Sequence, residues 1–346
     1  MPVPVSIVIP TWNGRPLLER FLPSVIAAAG RRQADGHTPV EIVIVDDGGT
    51  DGTDGWVTDL ARACPVPLRL VRHEQNLGFG AAANRGVKDA RHPFVWLLNN
   101  DVEVDEDGID RLVRAFEADS PRLFAVHSAM VDLASGEVVG TGKMGSFSRG
   151  FIRVHRSYIP TAGALGALPS MFATGGSAIF RRSLFLELGG FDTIFAPFYM
   201  EDVELSYRAW RRGYDVHFEP GSMVRHQFSS TIGASRDVER ISQRNRLLFH
   251  WIHLHDPDYV ISHAFWLSVL IVTSPITFKF GFLRGLVDAI RELASVRARR
   301  RDSRQKASRT DREVFEIFRR LDDSGGIRSY GEKREVDLAA YKKRPA

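Results

Sequence analysis

Along the first hundred residues, short β-branched runs alternate with stretches whose apolar positions recur every three to four residues. Residues 5–9 (Val-Ser-Ile-Val-Ile), 41–45 (Glu-Ile-Val-Ile-Val), 68–71 (Leu-Arg-Leu-Val) and 94–98 (Phe-Val-Trp-Leu-Leu) read as buried strands. Residues 17–29, 54–63 and 80–90 carry helical spacing between them. Strands alternating with helices at this interval predict α/β units around a mostly parallel sheet.

The middle of the chain is less regular. Residues 136–150 are glycine-rich and read as loop; 173–180 as a turn entering a strand; 189–192 as a turn; 200–212 as a helix; 216–218 as a strand. Beyond about residue 235 the pattern changes. Residues 240–255 form a basic and aromatic helix candidate. Residues 259–278 contain no Asp, Glu, Lys or Arg, a length of about 20 residues that matches a bilayer. Ser, Thr, His263 and a mid-run Pro275 weaken a full span and favour a segment lying in the interface. A helical face with Leu286, Ile290 and Leu293 follows, then a cationic cluster over 297–304. Two units are expected: 1–235 and a helical, basic extension, 236–346.

Charge sharpens this division. The net charge is +4, yet from Arg284 onward there are 18 Lys/Arg and 11 Asp/Glu, a balance of +7 against −3 for the rest. Such a tail suits an anionic membrane or nucleic acid, but no nucleic-acid-binding motif accompanies it. With Cys64 the single cysteine, no disulfide forms within the chain, as expected of a reducing cytoplasm. The N-terminus shows no secretory signal pattern.

Polar residues collect where the predicted strands end: Thr11 and Asn13, Asp46 and Asp47, Asn76, then Asn99, Asn100 and Asp101. In open α/β sheets, ligands bind beyond those carboxyl ends. Asp46-Asp47-Gly48 serves equally as a turn or as carboxylates accepting hydrogen bonds from a nucleoside. Gly78, Gly80 and Ala83 have G-x-G-x-x-G/A spacing, but after the third strand rather than the first. A pocket lined by the Gly78 backbone and Asn84 is the favoured alternative. Asn99-Asn100-Asp101 is either a cap or a site where a hard cation meets the Asp101 carboxylate. Glu201 and Asp202 suit a helix start, and either could act as a general base. His226, near a strand end, is structural or a ligand.

In this order the segments SIVIPTWNG (6–14), EIVIVDDGGTDGT (41–53), NLGFGAAANRG (76–86), LLNNDVEV (97–104), ATGGSAIFRR (173–182), GGFD (189–192), EDVELSYRAWRRGY (201–214) and RH (225–226) resemble the family-2 glycosyltransferases of the GT-A fold, notably their rhamnosyltransferase-like branch. The resemblance covers roughly the first two thirds of the chain. It implies a Rossmann-like α/β fold and transfer with inversion from a UDP-, dTDP- or GDP-linked sugar. Thr11, Asn13, Asp46, Asp47, Gly78, Asn84, Asn99 and Asn100 would bind the donor nucleotide. Asp101 and His226 would hold Mg²⁺ or Mn²⁺; Asn99 replaces the first aspartate of the family's Asp-x-Asp motif. Asp202 would be the catalytic base, and Gly175, Gly176 and Glu201 would face donor and acceptor.

The acceptor implied is a lipid-linked saccharide or an oligosaccharide, in cell-wall or surface polysaccharide synthesis. That gives the tail a purpose as a peripheral anchor on the cytoplasmic face of the membrane. An extra helical layer, or a dimer interface and so a homo-oligomer, is its other reading. Three competing functions are weaker. A sugar nucleotidyltransferase wants a glycine-rich basic loop after the first strand, and a dehydrogenase wants its glycines there. A catalytically inactive scaffold of glycosyltransferase shape has Asn99 in its favour, with Asp101, Asp202 and His226 against it.

Overall fold

Strands β1 (Val5–Thr11) and β2 (Val40–Asp46) are buried at every position, as parallel strands covered on both faces must be. Helices α1 (Arg15–Ala34), α2 (Thr53–Ala63) and α3 (Phe79–Asp89) alternate with them, with β3 (Leu68–Arg72) and with β4 (Phe94–Leu98). The chain continues through β5 (Val102–Val104), α4 (Gly108–Glu117) and β6 (Leu123–Asp132). Short strands follow: β7 (Val138–Gly140), β8 (Gly142–Lys143), β9 (Ser146–Ser148), β10 (Phe151–Arg153), β11 (Ser157–Pro160) and β12 (Leu168–Pro169). Then come β13 (Ser177–Arg181), α5 (Arg182–Leu188), α6 (Glu201–Arg211) and β14 (Asp215–His226). Five helices close the fold: α7 (Asp237–His253), α8 (Pro257–Thr273), α9 (Phe280–Arg291), α10 (Leu293–Gln305) and α11 (Asp311–Asp323), with β15 (Ile327–Tyr330) last. The computed structural model describes residues 3–34, 36, 39–117, 121–154, 156–161, 166–227 and 237–330.

The ten-stranded sheet runs β12-β14-β6-β13-β4-β1-β2-β3, with β5 on β14 and β7 on β6. The expected parallel block is β3-β2-β1-β4. Strand β13 runs against both its neighbours, β4 and β6, while β6 and β14 are parallel. Register aligns Thr11 with Asp46, and Leu98 with Ser177 at the start of β13. The polar ends of the parallel block therefore meet the turn that enters β13.

Side chains alternate across the sheet into two layers. Ile7, Ile42 and Trp96 pack with α1 and α4; Val8, Val43 and Leu97 pack with α3, α5 and α6. Gly86 lets α3 lie close on the sheet: a Cβ there would stand 2.3 Å from Val8 Cγ1 and 2.9 Å from Val45 Cγ2.

Two expectations need correction. Residues 136–150 are not simply loop; β7 pairs with β6, β8 with β11 and β9 with β10. Strands of two or three residues are too short to show a period of two within glycine-rich sequence. The run 259–278 is broken, because α8 ends at Thr273. No helix among the described residues is long and apolar enough to cross a membrane.

The C-terminal helices share the second core layer: Leu248 and Phe249 of α7, Phe282 of α9 and Phe318 of α11 pack there with Tyr207 and Trp210 of α6. The expected boundary at 235/236 lies outside the described residues.

Candidate functional site

The ends of β1 and β4 are tied together by side chains. Asn100 Nδ2 donates to Thr11 Oγ1 at 2.8 Å. Gly14 leaves room for this pair, since a Cβ there would lie 2.2 Å from Asn100 Nδ2. Asn13, in a left-handed conformation at φ 49°, accepts from the Thr50 amide at 2.8 Å. The tips of β1 and the β2–α2 loop are thus linked.

The two aspartates at the end of β2 are both buried and differently engaged. Asp46 Oδ1 accepts from the Gly49 amide at 2.8 Å, and Oδ2 lies 3.5 Å from Arg72 Nη1. Asp47 organises the loop before α3. It accepts from the amides of Leu77 (3.0 Å) and Gly78 (2.8 Å) and contacts His73 Nδ1 at 2.7 Å. Gly78 has φ 88°, which any other residue would adopt only with strain. Asn84 is used at both ends of its amide by Phe191: Nδ2 donates to the Phe191 carbonyl and Oδ1 accepts from its amide, each at 2.8 Å. It braces α3 against the 189–192 turn, where Gly190 (φ 68°) would push a Cβ to within 2.3 Å of Asn84 Oδ1.

After β4 the chain turns sharply into β5, and β5 pairs with the end of β14. That pairing delivers His226 to Asp101: Nε2 stands 3.1 Å from Asp101 Oδ1. Asn99 Nδ2 is 3.4 Å from the same Nε2. Among the described residues no group of three or more His, Cys, Asp and Glu could hold a metal.

The Gly175-Gly176 turn joins this cluster to α6. The Gly176 carbonyl accepts from the Asn99 amide at 3.0 Å, while the Gly175 amide points at Asp202 Oδ2 from 3.4 Å. Neither glycine admits a side chain freely; a Cβ would lie 2.8 Å from Asn99 Nδ2 at 176 and 3.3 Å from the Phe79 ring at 175. Burial raises the Asp202 carboxyl above its ordinary range, against the Val203 and Gly175 amides and the positive Lys143. Burial and the neighbouring Asp202 push Glu201 up to about 8. Thr174 Oγ1, Ser177 Oγ and Glu201 Oε2 are buried without a hydrogen bond among the described residues. Orphaned oxygens in a native fold point to a missing partner.

Sequence motifs did not reveal several supports of this site. Lys143 lies in the stretch read as loop; burial lowers its ammonium, opposed by Asp202. Tyr199 and Met200 (φ 71° and 79°) lead into α6 in the left-handed region, a strained approach of the kind found at functional sites. The buried Asn245 of α7 holds that approach: its Nδ2 donates to the carbonyls of Phe195 (2.6 Å), Phe198 (3.0 Å) and Tyr199 (3.0 Å). In the sequence, Asn245 sits in one helical stripe with Phe249 and Ile252, and a polar residue on an apolar stripe was the available signal. Glu204, one turn into α6, is buried between Arg208 (2.6 Å) and His253 (2.8 Å). Burial alone would raise its carboxyl, yet Arg208 and His253 hold it at about 2.

The structure thus gathers Thr11, Asn99, Asn100, Asp101, His226, Gly175, Gly176, Glu201 and Asp202 through direct contacts. Asp47, Gly78 and Asn84 form the wall around the α3 N-terminus.

Residues 6–189 match the model of glycosyl transferase family 2. The chain is 30% identical over 252 residues to N-acetylglucosaminyl-diphospho-decaprenol L-rhamnosyltransferase of Mycobacterium tuberculosis, covering 66% of this chain and 78% of that relative. Two solved structures share the fold. TarS 1–349 of S. aureus in complex with UDP-GlcNAc aligns over 98% of this chain and 95% of its own, with TM-score 0.55 and 15% identity. The mannosyltransferase PcManGT from Pyrobaculum calidifontis, in complex with GDP-Man and Mn²⁺, aligns over 88% of this chain and 87% of its own, with TM-score 0.51 and 18% identity.

Proposed function

The chain belongs to glycosyl transferase family 2 and is a glycosyltransferase of the GT-A fold, and from that premise we propose that it transfers a sugar, with inversion, from a nucleotide-sugar donor to a hydroxyl of a lipid-linked saccharide at the cytoplasmic face of a membrane. The observation that carries this reading is the Gly175-Gly176 turn, which contacts Asp202 on one side and Asn99 on the other. A base and a leaving-group site on either side of one turn suit in-line displacement at an anomeric carbon.

Asp202 takes the proton from the acceptor hydroxyl as that oxygen attacks. Its raised affinity for protons fits a base that must hold the proton it accepts. Glu201, with its unpaired oxygen, faces the sugar and acceptor hydroxyls. Thr11, Asn13, Asn100 and the Asp46-Asp47 pair receive the base and ribose, and the Gly78 backbone and Asn84-braced turn form the pocket wall. The donor set for a metal is one carboxylate (Asp101) and one imidazole (His226), 3.1 Å apart. The carboxylate suits Mg²⁺ or Mn²⁺, hard cations that take much of their coordination from substrate phosphate. A divalent cation held there would offset the negative charge of the diphosphate leaving group. The lipid-linked acceptor is supported by the M. tuberculosis relative, whose name carries a diphospho-decaprenol acceptor.

Calorimetric titration with UDP-, dTDP- and GDP-sugars, with and without Mn²⁺, tests the reading. One donor class should bind, and Asp202→Asn should retain that binding while transfer disappears. If no nucleotide sugar binds, the reading fails; if Asp202→Asn loses donor binding, Asp202 is not the base.

A further inference from the structure

Ten of the fifteen exposed large hydrophobic side chains among the described residues fall between Ile261 and Leu293. Exposed apolar residues scattered singly are ordinary, whereas a contiguous band marks an interaction surface. We infer that the outer face of α8, the turn over 274–279 and α9 form a docking surface for an anionic lipid bilayer. This deepens the acceptor side of the function proposed above and rests on that reading for its purpose.

Helix α8 is fixed to the protein along one side. Trp266, Leu267 and Leu270 pack on the core, and His263 donates through Nδ1 to the Gly150 carbonyl at 2.7 Å. Its opposite side bares Ile261 (70% exposed) and Phe265 (61%). The turn that follows bares Ile276 (74%) and Phe278 (78%), the two most exposed large apolar side chains described. Helix α9 lies tightly on α7, since a Cβ at Gly285 would stand 2.6 Å from the Arg240 carbonyl; Val287 and Ile290 remain outside.

Cations border the apolar band. A depression of about 330 Å³ between α7 and α9 is lined by Arg240, Arg284 and Arg291 around Leu283 and Val287, with Asp288 as its one acidic residue. Asp288 pairs with Arg240 (3.5 Å) and Arg291 (2.9 Å), and Asp237 also reaches Arg240 (3.3 Å), so three arginines against two aspartates leave this cluster a balance of +1. An apolar band edged by arginines matches acyl chains beneath anionic headgroups.

The surface is also one helix away from the reacting groups. Arg244 of α7 donates to the Ala196 carbonyl at 3.2 Å, and Asn245 holds Tyr199, two residues before Glu201. A bilayer on α8 and α9 is thus linked through α7 to the segment that enters α6.

The full chain would be sedimented with vesicles of phosphatidylcholine alone and of phosphatidylcholine with phosphatidylglycerol. Binding should favour the anionic vesicles and weaken with salt. Ile276→Glu with Phe278→Glu should lower partitioning at least tenfold. Arg284→Gln with Arg291→Gln should lower it by roughly fivefold per arginine, on anionic vesicles only. Nucleotide-sugar binding and the unfolding midpoint should stay at wild-type values in both. Wild-type protein that stays in the supernatant, or variants that sediment like wild type, would overturn the inference. So would a concentration-dependent dimer that the Ile276→Glu/Phe278→Glu variant abolishes. Failure of the glycosyltransferase reading shows separately, as absent donor binding without vesicles.

Discussion

Asn245 is the residue whose replacement separates fold from function most clearly. Its Nδ2 group serves three carbonyls, those of Phe195, Phe198 and Tyr199, at 2.6 to 3.0 Å inside the protein. Truncation to Ala or Leu leaves buried acceptors unsatisfied, at about 1–3 kcal/mol each. Two donated protons are lost, giving a ceiling of about 6 kcal/mol, and entry of water brings the expected loss to about 2–4 kcal/mol. The segment it holds includes Tyr199 and Met200 at positive φ, each strained by about 1–3 kcal/mol. Once released, that segment relaxes, which limits the global loss but shifts the start of α6. A displacement of about 1 Å at reacting groups costs on the order of 100-fold in rate. Urea unfolding of Asn245→Ala should therefore show the stability loss, donor affinity should be nearly unchanged, and transfer should fall on the order of 100-fold. Asn245→Asp should be worse than Ala, because it sets a carboxylate against three carbonyl oxygens. If Ala and Leu variants unfold within about 0.5 kcal/mol of wild type and transfer at the same rate, α7 does not position the site.

Three further outcomes follow from buried groups. Glu201 binds its proton more tightly in the folded chain, at about 8 against an ordinary 4.5, so its ionisation removes stability as pH rises between those values; Glu201→Gln should flatten that decline in melting curves taken across this range. Glu204 is the opposite case: held at about 2, it contributes stability above pH 4.5 that is lost as pH falls toward 2. Glu204→Gln leaves Arg208 and His253 without their carboxylate and should cost about 3–5 kcal/mol at neutral pH, with acid unfolding less steep. Gly86→Ala drives a methyl into Val8 and Val45, and chemical denaturation should register a loss of about 1–3 kcal/mol.

Much of the polar cluster at the strand ends was legible because it depends on short-range rules. The strand at 94–98 forms with those ends, and β1 and β2 extend one or two residues beyond the expected runs. Parallel strands require continuous apolar runs, and their ends carry polar residues for local reasons: side-chain period, turn chemistry and helix spacing all act within a few residues. That sufficed to place Thr11, Asp46, Asp47 and Asn99 to Asp101 at one edge of a sheet. The short strands of 138–148 were illegible, since runs of two or three residues are too brief to show a period of two.

Which polar group meets which was decided by tertiary structure. His226 reaches Asp101 only because β14 pairs with β5, and β13 brings Gly176 to Asn99 only by running antiparallel beside β4. Asp47 and Asn84 carry the expected residue types, yet their hydrogen bonds go to Leu77, Gly78 and Phe191. Asn245 stands 46 residues from the carbonyl of Tyr199 that it binds. Hydrophobic periodicity is written into neighbouring residues and survives without a partner. Register, strand order and the pairing of buried polar groups are settled only when distant segments compete for the same surface, and there the cost of leaving a donor or acceptor unpaired selects the arrangement.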